Sequence, residues 1–422
     1  MEIYNGDCLE ELKRFSPNSI DCIVTDPPYE LNFMGKGWDN AGVSFNKNTW
    51  EKCLRVLKPG GYLLAFGGTR TYHRIACAIE DAGFEIRDCI MWLYGSGFPK
   101  SMNISKGIEA KAKYGKANTV AKRKIEQDGN GKEYTVIQTN NGAMGEKKEF
   151  VRKEYTPQLD EAKEWEGWGT CLKPAYEPII VARKPFKGSL VDNVLENGVG
   201  GLNIDECRVE TGDIIAKNVS YKTEKQSEGW GTKKCITEPS TIGRFPANLI
   251  LTYDKNSFNE VCDGFPYTKS TGGSGEASKT HTFQNVRIGV NGKNTGTHLG
   301  GLGDSGSAAR YFYCAKASKK DRDEGLEEFM EDTTDDGRNK PIDNPYLRGK
   351  TMRHNTHPTV KPTTLMQYLI RLVAPKGATI LDPFMGSGST GYKFIGIEKD
   401  PEYCEIAQAR IEKAKEGQCK LI

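Results

Sequence analysis

The sequence predicts an α/β fold built on a doubly wound, mostly parallel β-sheet. Apolar segments of strand length alternate with amphipathic helices through the first 100 residues, and the alternation returns after about residue 355. Such alternation is typical of parallel sheets that are covered by helices. The predicted strands are 2–4, 20–24, 61–67, 86–93, 178–182, 378–381 and 394–397, and the predicted helices are 7–15, 50–57, 72–82, 363–373 and 401–415.

Stop signals and an apolar pattern support these elements. The helix at 50–57 runs into Lys58-Pro-Gly-Gly61, and the helix at 363–373 runs into Pro375-Lys-Gly377. Proline lacks the amide hydrogen that a helix needs, and glycine favours the left-handed conformation found at helix ends. The strand at 20–24 is largely apolar, as expected of a buried parallel strand.

The core is therefore predicted to consist of two halves separated by an insert. Residues 1–100 form the amino-terminal half and residues 346–422 form the carboxyl-terminal half. Residues 101–345 form the insert, which is polar, rich in glycine and irregular, except that 175–185 returns to the core as a strand. Long irregular stretches of this kind usually lie on a surface and carry function.

Composition excludes several classes of protein. No apolar run approaches 18 residues, so we expect no membrane span. Asp7, Glu10 and Glu11 lie where a secretory leader needs basic and then apolar residues. The 12 cysteines form no CxxC pair, which argues against a zinc ribbon and a disulfide framework. We identify no metal ligand set and expect a cytoplasmic protein with reduced thiols.

The segment Asp26-Pro27-Pro28-Tyr29 follows a predicted buried strand directly. Ligands of open α/β sheets bind beyond the carboxyl ends of the strands. Two successive prolines remove two backbone donors and stiffen the turn. A carboxylate, the Pro27 carbonyl and an aromatic ring are then left to face outward, although the segment alone is also compatible with an ordinary turn.

Two further segments flank the last predicted strands. Leu381-Asp-Pro-Phe-Met-Gly-Ser-Gly-Ser-Thr390 follows a strand, and its glycines allow a ligand to approach the backbone closely. His357-Pro-Thr-Val-Lys-Pro362 immediately precedes the helix at 363–373. Each segment alone is a weak signal, because tight turns and helix starts often contain such residues.

Together and in this order, the three segments resemble those of the DNA amino-methyltransferases, specifically the circularly permuted beta group of that family. The resemblance covers residues 1–100 and 350–412, together with the strand that begins near Glu177. It implies a Rossmann-like methyltransferase fold with S-adenosylmethionine as cofactor and double-stranded DNA as partner. It also implies that the insert contains the target-recognition region, to which the basic run from Lys106 to Lys124 would contribute phosphate contacts.

The resemblance implies that Asp26, Pro27, Pro28 and Tyr29 form the catalytic set. The exocyclic amine of a base is a poor nucleophile because its lone pair is delocalised into the ring. If Asp26 and the Pro27 carbonyl accept its two N–H groups, the lone pair turns toward the methyl group. Tyr29 can stack on the base, which must first leave the duplex. Asp26 favours N6 of adenine, because cytosine-N4 members more often carry Ser or Thr there; cytosine N4 is the alternative.

The resemblance also assigns residues to the cofactor. Those expected around its methionine and ribose parts are Asp382, Phe384, Gly386, Ser387 and Gly388. Glu398 ends the next strand and is expected to accept hydrogen bonds from ribose hydroxyls. Thr359 and Lys361 are expected near the cofactor carboxylate. Asp7 is expected near the adenine of the cofactor, or equally as the cap of the helix that follows it.

The crossover after the glycine loop departs from the family pattern. Only 12 residues separate Leu381 from Phe394, and the glycine loop uses about seven of them, so that Ser389 to Lys393 could supply barely one helical turn. Parallel neighbours usually need a crossover of about a dozen residues or more that contains a full helix. An extended segment would still allow the strand to reach its place. We therefore expect a mobile loop, a poorly filled covering face and weak cofactor binding. A DNA-binding remnant without catalysis is the alternative function. The resemblance also allows a homodimer, a partner restriction enzyme and a phage-like context.

Overall fold

The fold is described from a computed structural model of the 422-residue chain. The structure describes residues 2–31, 39, 41–94, 101–117, 121, 125, 133–139, 147–153, 155–209, 215–222, 234–240, 243–252, 267–269, 305–307, 312–314, 325–326, 329, 332–333, 352–355, 357, 360–389 and 394–416. The chain divides into two compact units. The core unit comprises Met1–Leu93, Glu177–Phe329 and His357–Ile422, and the second unit comprises Tyr94–Tyr176 and Met330–Thr356.

The described strands and helices are numbered here in chain order. The strands are β1 (Glu2–Asn5), β2 (Ile20–Thr25), β3 (Leu57–Phe66), β4 (Glu85–Tyr94), β5 (Glu133–Thr139), β6 (Lys147–Lys153), β7 (Tyr176–Arg183), β8 (Ile215–Lys222), β9 (Lys234–Ser240), β10 (Leu249–Thr252), β11 (Tyr267–Lys269), β12 (Ser305–Ser307), β13 (Tyr313–Cys314), β14 (Asp332–Thr333), β15 (Met352–Arg353), β16 (Ile380–Asp382) and β17 (Phe394–Glu398). The helices are α1 (Cys8–Glu11), α2 (Lys47–Val56), α3 (Tyr72–Asp81), α4 (Ile104–Tyr114), α5 (Asp160–Glu164), α6 (Leu190–Asn197), α7 (Thr363–Val373) and α8 (Pro401–Glu416).

One large sheet organises the core unit. Within the described residues it has nine strands in the order β1-β17-β16-β2-β3-β7-β4-β10-β13. The first five strands in this order pair in parallel, and β7 runs antiparallel to β3. The chain leaves β16 toward β17 on one side and leaves β2 toward β3 on the other. The predicted α/β fold with a mostly parallel sheet is therefore confirmed, and β16 and β2 flank the point at which the winding reverses.

Acidic residues follow the carboxyl ends of four neighbouring strands. In spatial order they are Asp7 after β1, Glu398 in β17, Asp382 in β16 and Asp26 after β2. Ligands of doubly wound sheets bind in the crevice beyond the carboxyl ends of the strands, where the direction of winding reverses. The topology alone therefore places the two predicted motifs side by side at a ligand-binding edge.

Helix α2 shows how the helices cover this sheet. Asn46 caps its amino end by accepting a hydrogen bond from the amide of Asn48 at 3.0 Å. Its apolar face buries Trp50, Cys53 and Val56 completely. Since an unpaired buried indole N–H would be costly, Trp50 donates it to the carbonyl of Ser44 at 2.8 Å. Across the described helices, none is long and apolar enough to cross a membrane.

The segment Lys58-Pro-Gly-Gly61 was predicted to end a helix and to precede the next strand, but it lies within that strand. Helix α2 ends at Val56, but the segment lies inside β3, where the pairing with β2 shifts register. Gly60 has a φ of 79°, and a Cβ there would lie 2.1 Å from the Asn193 amide nitrogen. The segment therefore lies at a bulge within β3, where the absence of a side chain at Gly60 leaves room for the buried Asn193.

Several elements lie within the region predicted to be irregular. Strands β10 and β13 pair in parallel at the far edge of the large sheet. Helix α6 begins with a capping box, in which Ser189 and Asp192 exchange hydrogen bonds, and ends at Gly198 with a φ of 72°. Sequence analysis did not predict these elements. The domain boundaries at 1–100, 101–345 and 346–422 remain predictions.

The second unit has its own small core. Helices α4 and α5 pack together, and Ala110, Ala121 and Ile125 are buried beside Tyr155. Glu109 accepts a hydrogen bond from the amide of Leu159 at 3.2 Å, which joins α4 to the start of α5. Lysines of the predicted basic run that are described, such as Lys111 and Lys113, are exposed on α4. Lys122, Arg123 and Lys124 lie outside the described residues.

Candidate active site

Four side chains from three distant parts of the chain meet beyond the end of β2. We call Asp26, Tyr29, Glu177 and Lys361 the base-side cluster, because the family resemblance implies that Asp26 and Tyr29 contact the target nucleobase. The Lys361 ammonium lies 2.5 Å from Asp26 Oδ2 and 3.5 Å from Glu177 Oε2. The Tyr29 hydroxyl donates to Glu177 Oε2 at 2.7 Å. The side chain of Lys361 is only 8% exposed and that of Asp26 is 19% exposed, so solvent screens these charges weakly.

Burial and mutual charge shift the pKa values of the base-side cluster. Burial raises the pKa of Asp26, and Glu177 adds to this increase, while Lys361 opposes it. Burial disfavours the Lys361 ammonium, but Asp26 and Glu177 outweigh it and raise the pKa of Lys361. Burial and the two neighbouring carboxylates raise the pKa of Tyr29 well above its ordinary value. Tyr29 is therefore a neutral phenol that donates, and Lys361 is a cation.

The two carboxylate oxygens of Asp26 have different environments. Oδ2 is occupied by Lys361, whereas Oδ1 is buried and accepts no hydrogen bond from any described group. The single proton of the nearby Tyr29 hydroxyl goes to Glu177. A buried acceptor without a donor costs about 1–3 kcal/mol. Asp26 Oδ1 is therefore poised to accept a hydrogen bond from a ligand.

The Tyr29 ring is fixed by a close backbone approach as well as by its hydroxyl. A Cβ at Gly68, just beyond β3, would lie 3.1 Å from Tyr29 Cδ2. The chain also turns sharply after the ring, since Glu30 has a φ of 53°. Asp39 is buried and accepts the amides of Glu30 and Leu31 at 2.9 and 3.1 Å. These contacts stabilise a backbone conformation that is unfavourable for glutamate.

Asp382 connects the base-side cluster to the glycine loop. Thr25, the last residue of β2, donates its hydroxyl to Asp382 Oδ1 at 2.6 Å, and the Phe384 amide donates to the same oxygen at 3.1 Å. Both Thr25 and Asp382 are buried. Phe384 packs against Trp50 of α2, with a distance of 6.4 Å between ring centroids. The strand ends of β2 and β16 are thus joined by side chains.

The glycine loop is anchored to Glu398. Gly386 donates its amide to Glu398 Oε2 at 2.9 Å, and Asp400 donates its amide to Oε1 at 2.8 Å. Burial raises the pKa of Glu398. A carboxylate offers about four lone-pair sites, so both oxygens retain capacity for further donors. Gly386 has a φ of 55°, and a Cβ there would lie 2.8 Å from His357 Nε2.

Helix α8 covers the loop where a crossover helix was expected. The buried Arg410 donates to the Ser387 carbonyl, and its Nη1 lies 3.3 Å from Ser387 Oγ. A Cβ at Gly388 would lie 3.0 Å from Ala407 Cβ and 3.2 Å from Ile411 Cδ1. The predicted poor filling of this face is therefore wrong at Gly388, because a helix from the end of the chain fills it. The described loop residues 383–389 contain no helix, and residues 390–393 lie outside the described residues.

The remaining predicted cofactor residues have varied positions. Asp7 caps α1, because its Oδ1 accepts the Leu9 amide at 2.9 Å, and its Oδ2 lies 3.5 Å from the Lys399 ammonium. Gly6 donates its amide to the Glu398 carbonyl at 2.9 Å, which brings Asp7 to the edge beside Glu398. Thr359 lies outside the described residues. Lys361, predicted with Thr359 near the cofactor carboxylate, instead directs its ammonium at Asp26 and Glu177, and its contact with the cofactor stays a prediction. Pro27 is buried and Pro28 is half-buried between Asp26 and Tyr29.

Three residues that shape this edge were not predicted from the sequence. Glu177 is the one acidic residue of β7, next to the apolar stretch 178–182, and that charge was the available signal. Asp39 lies in a polar segment with no periodicity, and Arg410 belongs to a helix rich in charges. Neither of these two has a local signal, because both act through contacts with distant segments.

The sequence is similar to those of known DNA methylases. The model of the DNA methylase family (N6_N4_Mtase) matches residues 20–409. The Type II methyltransferase M.HindIII of Haemophilus influenzae is 23% identical over 265 residues, which are 51% of this chain and 70% of that protein. M.HpaI of Haemophilus parainfluenzae is 37% identical over 107 residues, which are 24% of this chain and 34% of that protein.

Among solved structures, a putative DNA modification methylase from Thermus thermophilus, complexed with S-adenosyl-L-methionine, is 14% identical. The match covers 99% of this chain and 95% of that one, with a TM-score of 0.36. The family assignment rests on the sequence match and on the motifs. The family match spans nearly the whole chain and includes both strand-end motifs at the reversal of the sheet. The chain belongs to the DNA methylase family of S-adenosylmethionine-dependent amino-methyltransferases.

Proposed function

We propose that the chain transfers a methyl group from S-adenosylmethionine to N6 of adenine in double-stranded DNA. The observation that carries the proposal is Asp26 Oδ1, a buried acceptor without a donor among the described groups, at the end of β2 and beside an aromatic ring. The exocyclic amine of adenine supplies the missing N–H. The same acceptor would serve the amine of cytosine, so the choice of adenine rests on the carboxylate at position 26.

The base-side cluster favours the charge that develops during transfer. When bound, S-adenosylmethionine would supply an electrophilic methyl group. As the bond from nitrogen to the methyl carbon forms, the bond from that carbon to the sulfonium sulfur would break and leave a neutral thioether, and the amine would be positive until it loses one proton. Two carboxylates and one ammonium leave the cluster with a net negative charge in a buried site. A fixed charge aimed at the place where the opposite charge develops is the strongest electrostatic contribution to catalysis. Lys361 holds one oxygen of Asp26, so that the other is directed at the amine.

Tyr29 would stack on the target base after the base leaves the duplex. Its ring is held at Gly68 and its hydroxyl at Glu177, so little rotational freedom remains to be lost on binding. A pre-ordered ring reduces the entropic cost of positioning the base. The Pro27 carbonyl is the second acceptor proposed for the amine, as the family resemblance implies.

The residues of the neighbouring edge fit the cofactor. Glu398 retains lone pairs for ribose hydroxyls, although two amides already occupy it. The glycine loop, with Gly386, Ser387 and Gly388, follows Asp382 and Phe384 directly, and these residues would contact the methionine and ribose parts. Asp7 lies beside Glu398 with one oxygen near Lys399, and would contact the adenine part.

One experiment tests the chemistry directly. DNA from cells that express the chain is digested to nucleosides and analysed by mass spectrometry, with Asp26→Ala as the control. We expect N6-methyladenine that is absent from the control. N4-methylcytosine would instead establish the alternative base. Binding of DNA with no methylated base would establish a non-catalytic DNA-binding protein. Sequencing of the same DNA reports the recognition site.

The partner surface is proposed on the second unit. Lys111 and Lys113 are exposed on α4, and lysines that contact phosphates give an affinity that falls with salt. Their joint replacement by glutamine should reduce the salt dependence of DNA binding for all sequences alike. A homodimer, a partner restriction enzyme and a cytoplasmic location remain predictions.

A further inference from the structure

Glu177 reaches the active edge because β7 runs antiparallel to its neighbour. Ile179 of β7 pairs with Phe66, the last residue of β3, and the Gly67 amide donates to the Pro178 carbonyl at 2.9 Å. The amino end of β7 therefore lies at the carboxyl end of β3. Glu177 is thus brought to the same edge as Asp26, although the two are 151 residues apart. Its side chain is 20% exposed.

A single oxygen of Glu177 receives two donors. Oε2 accepts the Tyr29 hydroxyl at 2.7 Å and lies 3.5 Å from the Lys361 ammonium. Hydrogen bonds to an ionised acceptor are roughly twice as strong as neutral ones. The Tyr29 ring is thereby fixed at its hydroxyl end, while its Cδ2 edge lies so close to Gly68 that a Cβ there would be only 3.1 Å away.

Glu177 also determines how Lys361 meets Asp26. The ammonium lies between the two carboxylates and, within the base-side cluster, also lies 5.3 Å from the centroid of the Tyr29 ring. Attraction to Glu177 holds Lys361 on the Oδ2 side of Asp26. Without that charge, the ammonium would be free to move across both oxygens of Asp26 and to occupy the acceptor that the amine needs. The negative charge that Glu177 adds to the cluster would also be lost.

We propose that Glu177 is a positioning residue for methyl transfer, which fixes Tyr29 and confines Lys361 so that Asp26 Oδ1 stays open. The inference rests on the proposed function, and nothing in the motif pattern assigns a role to this residue. Glu177 acts through Tyr29, Lys361 and Asp26, and not on the cofactor. Its loss should therefore slow the chemical step and leave cofactor affinity unchanged.

The test compares Glu177→Gln with the parent by single-turnover transfer of labelled methyl to duplex DNA at saturating cofactor. We expect the rate to fall about tenfold to a hundredfold, with the Kd for S-adenosylmethionine within about twofold of the parent by calorimetry. Glu80→Gln is the matched control, because Glu80 is exposed on α3. Tyr29→Phe should also slow transfer, and the double variant should be no slower than the slower single variant, because the two residues act as a unit.

Three results would overturn the inference. Glu177→Gln could transfer methyl at the parental rate, the two single losses could multiply in the double variant, or cofactor affinity could fall in parallel with the rate. If Glu177→Gln does not unfold cooperatively, Tyr29→Phe decides, and a parental rate in that variant counts against the inference. An inactive parent would remove the proposed function and this inference with it, whereas an active parent matched by Glu177→Gln removes the inference alone.

Discussion

The base-side cluster and the glycine loop lie at one edge of one sheet, yet they are built differently. The cluster consists of side chains from β2, β7 and the segment before α7, held together by an ion pair and charge-assisted hydrogen bonds. The loop consists largely of backbone, which is held by hydrogen bonds to Glu398 and to Arg410 of α8. Substitutions in the cluster should therefore change the rate of methyl transfer more than the affinity for the cofactor. Substitutions around the loop should change the affinity for the cofactor more than the rate.

The largest effect is expected at Asp26. Asp26→Ala removes the open acceptor, and we expect methyl transfer to fall by about 10² or more while the chain remains folded. Cofactor affinity should change little, because Asp26 lies on the base side. The matched control is Asp81→Ala, since Asp81 is exposed at the end of α3. Unchanged transfer in single-turnover assays would remove Asp26 from the mechanism.

The acid limb of the pH profile should report the same carboxylate. The proposed mechanism requires ionised Asp26, and burial raises the pKa of Asp26, so the rate should begin to fall at a higher pH than for an ordinary aspartate. Below that pKa the rate should fall about tenfold per pH unit, because the ionised fraction does. Folding favours the neutral form of this group, so the stability linked to it is present at low pH and lost as pH rises through the folded pKa.

The activity loss should consequently precede acid unfolding. Single-turnover rates at saturating cofactor, measured with circular dichroism on the same samples, separate the two events. Saturation matters because burial also raises the pKa of Glu398, whose protonation should affect cofactor binding. A rate that falls only together with the dichroism signal would contradict the assignment to Asp26.

On the cofactor side, Glu398→Gln should weaken binding of S-adenosylmethionine about tenfold. The amide side chain keeps the shape but loses one acceptor and the charge that strengthens the bonds to ribose hydroxyls. The rate at saturating cofactor should stay within about threefold of the parent, in contrast to Asp26→Ala. Glu405→Gln, at an exposed position of α8, is the control. A large loss of rate at saturating cofactor with an unchanged Kd would mean that Glu398 acts in methyl transfer and not in cofactor binding.

This contrast also explains what could be predicted from the sequence. Asp26, Asp382 and Glu398 follow apolar strands within recognisable segments, so local patterns identify them, and the α/β fold is confirmed. Glu177 and Arg410 join the edge only through an antiparallel strand and a terminal helix. Those contacts depend on pairing between distant segments, which periodicity does not encode. Strand β13 has two residues, too few to show any period.

A smaller effect is expected at Arg410 of α8, which supports the glycine loop through the Ser387 carbonyl. Arg410→Met removes the hydrogen bond that the buried guanidinium donates to the Ser387 carbonyl, so the loop should lose order and cofactor affinity should fall a few-fold. Arg410→Lys retains the charge without the planar fork and should give an intermediate affinity. Calorimetry on the three proteins gives the ranking. Equal affinities would show that the loop holds its shape without α8.

The smallest effect is expected from lengthening the crossover. From the sequence alone, the short link between β16 and β17 predicts that an insertion of about eight to ten helix-forming residues after Gly391 tightens cofactor binding, because parallel neighbours usually connect through a helix. The structure changes that expectation. Helix α8 already occupies the face over Gly388, with Ala407 and Ile411 in contact distance. An added helix would compete with these side chains for that face, so we expect affinity to change by less than about threefold. Calorimetry with S-adenosylmethionine on the parent and the insertion compares them directly. A gain of about tenfold or more would mean that α8 is an incomplete substitute, and that the glycine loop depends on its own crossover helix more than on the end of the chain.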